Sequence, residues 1–105
     1  MSTAAVRRHW ARVAALGCWN DGRPAQIAHA HSGSIVERMK EPKAKGRKLP
    51  RYDWLVIPLC PECHAELDAN VRAWEERYMP QARIINGLCN QLGVNLWELA
   101  NKGRK

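Results

Sequence analysis

Cys60-Pro61-Glu62-Cys63-His64-Ala65-Glu66-Leu67-Asp68 puts two thiols in a C-x-x-C pair at a turn, followed at once by a histidine and a carboxylate four residues apart. Soft sulfur ligands suit a structural zinc ion, whereas a mixed nitrogen and oxygen pair suits a divalent ion that keeps positions open for water and substrate. Leu67, Val71, Trp74 and Tyr78 repeat at helical spacing, which predicts one helix from about His64 to Tyr78. His64 and Asp68 fall together at the margin of that stripe, so they can converge on one ion beside the core.

Upstream of the cysteine pair, residues 52–59 are rich in aromatic and branched side chains and read as a strand, with Pro58 suited to an edge position. An earlier strand is expected over residues 25–31, completing a short β-hairpin. Period-two geometry puts His29 and His31 on one side of it, facing one site, and Gln26 and Ala28 on the other. Asn20-Asp21-Gly22 and Pro24 mark the turn before this strand, and Ser32-Gly33-Ser34 reads as the turn after it. Residues 35–51 read as a basic loop or short helix at the edge of the site. Lys43, Lys45, Arg47, Lys48 and Arg51 can neutralise phosphates there, each contact steepening the salt dependence of DNA binding by roughly 0.9. The same segment also reads as a linker.

Helices flank this centre. Residues 3–16 carry Val6, Trp10, Val13 and Leu16 at the spacing of one apolar face, with Arg7, Arg8 and Arg12 elsewhere and His9 expected on the surface. Gly17 ends that helix and delivers Cys18. Cys18 reads either as a buried thiol or as a zinc-knuckle partner of Cys60 and Cys63; position 21, where a further Cys or His would complete the knuckle, is Asp21, and the fourth ligand stays open. C-terminal helices are expected within residues 80–101. Pro80 opens the first, with Ile84, Ile85, Leu88 and Leu92 as its apolar face, and Gly93 stops it. Asn95-Leu96-Trp97-Glu98 reads as a capping box for a short last helix. Cys89 is either a core thiol or a distant fourth zinc ligand.

A chain of 105 residues is most economically one domain, residues 1–105, with its core over about 17–79, and so short a chain gains from a bound metal. Hydrophobic residues make up 46%, which argues against disorder throughout, and a net charge of +7 favours a polyanionic partner such as DNA or RNA over a purely solvating role. No signal-peptide pattern opens the chain and no apolar run approaches the ~18 residues of a membrane span. A cytoplasmic protein with no membrane partner and with reduced thiols, rather than two disulfides, is therefore expected.

A strand with His29, a basic segment, a second strand, a C-x-x-C turn and then His-x-x-x-Asp resembles the HNH endonucleases, the ββα-metal or His-Me finger group. The resemblance rests on Ile27-Ala28-His29, on Asp53-Trp54-Leu55-Val56-Ile57-Pro58-Leu59-Cys60, and on Cys63-His64 with Asp68, and it covers roughly residues 8–92. Within that group the chain is similar to the small phage and prophage recombination-enhancement nucleases. The resemblance implies an α+β fold, a zinc-stabilised ββα-metal core with flanking helices, and a metal-dependent endonuclease acting on double- or single-stranded DNA, with a recombination protein as a further partner. It makes His29 the general base and makes His64 and Asp68 ligands of a catalytic Mg, Mn, Zn or Ni ion, with Cys18, Cys60 and Cys63 on a structural zinc. Many relatives carry a metal-binding residue where this chain has Ala28, for which His31 is the candidate substitute, and Asp53 is the nearest polar residue to the Asn that orients their base. Those departures sustain a second expectation, a zinc-stabilised nucleic-acid-binding module without catalysis.

Overall fold

Thr3 sets the start of the first helix: its hydroxyl accepts the Val6 N–H at 3.2 Å and caps α1 (Ala4–Ala14). In the computed structural model, which describes residues 3–40 and 52–102, α1 buries Val6, His9 and Val13, one face at i, i+3 and i+7. His9 is thus a core residue, not the surface residue expected. Its ring lies 5.1 Å from that of Trp54, and Nε2 meets the Trp54 carbonyl at 3.1 Å, which supplies the polar partner a buried imidazole needs. Leu16 leaves the expected apolar face: the helix ends at Ala14, Gly17 turns the chain at φ +83°, and Leu16 is 44% exposed.

The hairpin forms, from shorter strands than expected. β1 (Gln26–His29) pairs antiparallel with β2 (Val56–Leu59) in the register Gln26↔Leu59, Ile27↔Pro58, Ala28↔Ile57, His29↔Val56. Among the described residues the sheet has these two strands, so both are edges, Pro58 costs no ladder bond, and its carbonyl is free to accept the Trp19 N–H at 2.9 Å. All four β2 residues are buried, which requires cover on both faces. α1 packs against both strands, and α3 (Pro61–Ala69) and α5 (Gln81–Leu92) pack against β2. The main core gathers Ala28, Ile57, Leu59, Leu67, Ile84, Ile85 and Leu88. Val6, Val13 and Val56 are buried apart from it, under α1.

Two further departures concern helices. Gly33–Met39 is a helix, α2, which starts inside the turn expected at Ser32-Gly33-Ser34 and takes the short-helix alternative for residues 35–39; Ser32 at φ +59° and Gly33 at φ +45° swing the chain out of the hairpin into it. The single helix expected over residues 64–78 is two, α3 and α4 (Val71–Arg77), because Asn70 adopts extended backbone. Its side chain accepts the Ala73 N–H at 3.1 Å and so caps α4 anew. Pro80 does open α5, Gly93 ends it at φ +67°, and Asn95 accepts the Glu98 N–H at the start of α6 (Leu96–Lys102). Among the described residues no helix is long and apolar enough to cross a membrane.

Candidate metal centre and the adjoining histidine site

Cys60 is the N-cap of α3 and Cys63 lies in its first turn, so both thiols sit at the positive end of that helix's dipole. The other half of the cluster is a tight knuckle at residues 18–23. Cys18 donates its N–H to the Arg23 carbonyl at 2.8 Å, and the Gly22 N–H returns to the Cys18 carbonyl at 2.9 Å. Trp19 pins this knuckle to β2 through Pro58, and its indole lies so close to Gly87 on α5 that a Cβ there would come within 2.8 Å of it. Side-chain donors from Cys18, Asp21, Cys60 and Cys63 all lie within 4.8 Å of one another, the only such group among the described residues.

The donor set fits a zinc ion. Three thiols and one carboxylate are accepted tetrahedral ligands, and metal–sulfur bonds of about 2.3 Å place sulfurs nearly 4 Å apart, the scale of this cluster. All four cysteines are free thiols. Burial above all pushes the Cys63 thiol up to about 12, with Cys60 and Cys18 beside it adding to the rise. A dication reverses that preference, because the thiolate is the form that ligates. Asp21 sits three residues after Cys18, as Cys63 does after Cys60, and it is the fourth member of the cluster. Cys89 lies apart at the α5–α6 junction, where its Sγ accepts the Leu96 N–H at 3.4 Å; it packs as a core thiol and is not a member of the cluster.

One turn further along α3, Asp68 stands between two imidazoles. Its Oδ2 lies 3.3 Å from His64 Nε2 and its Oδ1 3.4 Å from His31 Nε2. Both rings are held from behind: Gln26 Nε2 donates to His64 Nδ1 at 2.6 Å, and Ser32 Oγ lies 3.0 Å from His31 Nδ1. These contacts fix the orientation of both rings. His31 also has its backbone clamped, because Gln81, fully buried, accepts from its N–H at 3.1 Å and donates to its carbonyl at 2.8 Å. Glu75 in turn accepts from the Gln81 backbone, the Gln81 amide and the Ser34 hydroxyl.

His29 has different partners. Its Nε2 lies 3.4 Å from Asp53 Oδ1, and its ring meets Trp10 edge-on at 5.6 Å. Trp10 donates to the Asp53 carbonyl at 2.8 Å, so α1 holds the residue that faces the imidazole. His29 and His31 meet different carboxylates, Asp53 and Asp68: strict alternation holds only within the strand, which ends at His29, and His31 lies just beyond it beside α3. Ala28 is fully buried in the main core and makes no polar contribution. Lys43, Lys45, Arg47, Lys48 and Arg51 lie outside the described residues.

Asp21, Gln26, Glu75 and Gln81 were not assigned roles from the sequence. Only Asp21 carried a signal, its three-residue spacing from Cys18.

The fold and the cluster together define a small α+β protein with a thiol-rich site able to hold a metal ion. By its match to the family model over residues 5–92, the chain belongs to the family described as protein of unknown function (DUF968). Searches of curated proteins and of solved structures found no match.

Proposed function

We infer that the protein is a metal-dependent endonuclease that hydrolyses phosphodiester bonds in DNA, in recombination-linked DNA processing. The observation that carries this reading is Asp68 held between His31 and His64, with His29, the last residue of β1, paired to Asp53 in the turn before β2. His64, Asp68 and His31 would hold the catalytic ion, His31 standing in for a ligand at position 28. A divalent ion there supplies charge stabilisation to the phosphate and to the departing 3′ oxygen. With Nε2 of His29 turned toward Asp53, Nδ1 is left to accept a proton from water, the part of a general base. The net charge of +7, and the basic segment from Lys43 to Arg51, favour a polyanionic substrate. In this reading the thiol cluster binds a structural zinc that fixes the first turn of α3, and through it His64 and Asp68.

Nicking of supercoiled plasmid and cutting of single-stranded DNA, with Mg²⁺, Mn²⁺, Ni²⁺ or Zn²⁺ supplied in turn, tests the reading. Cleavage that His29→Ala and His64→Ala abolish, with unchanged circular dichroism, is expected. No cleavage with any ion at low salt would overturn it. The buried, apolar Ala28 favours a second reading, a zinc-stabilised nucleic-acid-binding module; salt-sensitive DNA binding without turnover would select it.

A further inference from the structure

Three of the four donors in the thiol cluster are shut away from solvent, and the fourth is not. Cys18, Cys60 and Cys63 are buried, whereas the side chain of Asp21 is 32% exposed and that of Arg23, which grips it, 54%. The grip is specific. Arg23 Nε and Nη2 both donate to Asp21 Oδ2, at 3.0 and 2.8 Å, and the Arg23 backbone N–H donates to Oδ1 at 3.0 Å. Oδ2 is also the oxygen that faces the sulfurs, 3.4 Å from Cys60 Sγ and 3.9 Å from Cys63 Sγ. Arg23 Nη2 reaches Cys60 Sγ as well, at 3.3 Å.

We propose that Asp21 is the fourth ligand and the solvent-side door of this metal site, with Arg23 as the positioning residue that aims Asp21 Oδ2 at the thiols. Three thiolates and a carboxylate outweigh the charge of a dication, and the guanidinium that touches both a sulfur and the carboxylate offsets half of the excess. An oxygen ligand is also the one a soft-leaning site exchanges most readily, and here it occupies the accessible corner, so the ion enters and leaves past Asp21. The proposal rests on the cluster binding zinc. It is independent of the nuclease activity.

Purified full-length protein, reduced and stripped of metal, is titrated with Co²⁺, then loaded with Zn²⁺ and followed during transfer to a chelator. The native chain is expected to give the d–d absorption of a tetrahedral site with three sulfurs and one oxygen. Asp21→Cys should move that absorption to an all-thiolate pattern and slow release at least about tenfold, while Arg23→Ala should weaken Zn²⁺ binding by roughly 10- to 100-fold with the sulfur count unchanged. Asp21→Cys retains a fourth ligand and so keeps the test open should Asp21→Ala fail to fold. A native spectrum with four thiolates would give the corner to Cys89 and overturn the proposal. So would an unchanged spectrum and release rate in Asp21→Cys, or unchanged Zn²⁺ affinity in Arg23→Ala. Absence of Co²⁺ and Zn²⁺ binding to the native chain would overturn the zinc reading itself, and the proposal with it.

Discussion

Replacing Gln81 by Met keeps roughly the same volume in the core but removes the amide that imitates a neighbouring peptide. Three side-chain hydrogen bonds vanish: from the His31 N–H at 3.1 Å, to the His31 carbonyl at 2.8 Å and to Glu75 Oε2 at 3.3 Å. A typical intramolecular hydrogen bond contributes about 1 kcal/mol net, and interior partners left unpaired cost more, so the variant should lose about 3 kcal/mol. For a domain of this size that corresponds to a fall in Tm of roughly 12 °C or more. Paired urea and thermal unfolding of the two proteins, with the metal content held equal, measures it. Gln81→Glu is the informative companion: it keeps an acceptor for the His31 N–H but sets a second carboxylate against Glu75, and it should be no more stable than the Met variant at neutral pH. A loss below about 0.5 kcal/mol in Gln81→Met, the scale of an ordinary surface change, would refute the view that this amide holds His31 in place.

Acid should unfold the protein partly through His9. Burial, ahead of the opposing Trp54 hydrogen bond and with Arg12 adding to it, holds its pKa below the ordinary 6.5, so the unfolded chain binds a proton that the folded chain resists. This contribution to stability is present above pH 6.5 and is lost as pH falls through the folded pKa; His9→Phe should flatten the stability profile over that window in urea titrations. Gly87→Ala should destabilise despite the better helix former, by about 1 kcal/mol or more, because the new methyl meets the Trp19 indole; an unfolding midpoint equal to that of the native chain would count against that contact. Cys63→Ala should release the metal and lower Tm, with elemental analysis of freshly purified, reduced protein as the check, and equal metal content in both proteins would contradict the cluster as the binding site.

Much of the centre was legible because it is written in local spacing. C-x-x-C and His-x-x-x-Asp place their side chains through helical and turn geometry alone, and the structure keeps His64 with Asp68, while Asp53 reaches His29 through the pairing of the hairpin. What was not legible depends on contacts between distant segments. His9 looked like a surface residue until the 52–55 turn, 45 residues away, offered it a carbonyl, and Gln81 looks like any helix-start glutamine until His31 folds against it. The break at Asn70 was hidden for another reason. The apolar stripe from Leu67 to Tyr78 runs on in register across it, while a side chain suited to capping outbids the helix locally.

The thiol turn and the His64–Asp68 pair share one short helix, with Asp68 five positions after Cys63. At a rise of about 1.5 Å per residue the two ends are roughly 7.5 Å apart along the axis, within the Debye length of about 8 Å at physiological salt. Whatever occupies one site is therefore felt electrostatically at the other. A filled thiolate cluster is more negative than a protonated empty one, which favours a cation at Asp68, and thermodynamic linkage makes the effect mutual. Under the proposed function, cation affinity at Asp68 would then gauge the thiols' state, falling when they are oxidised or stripped.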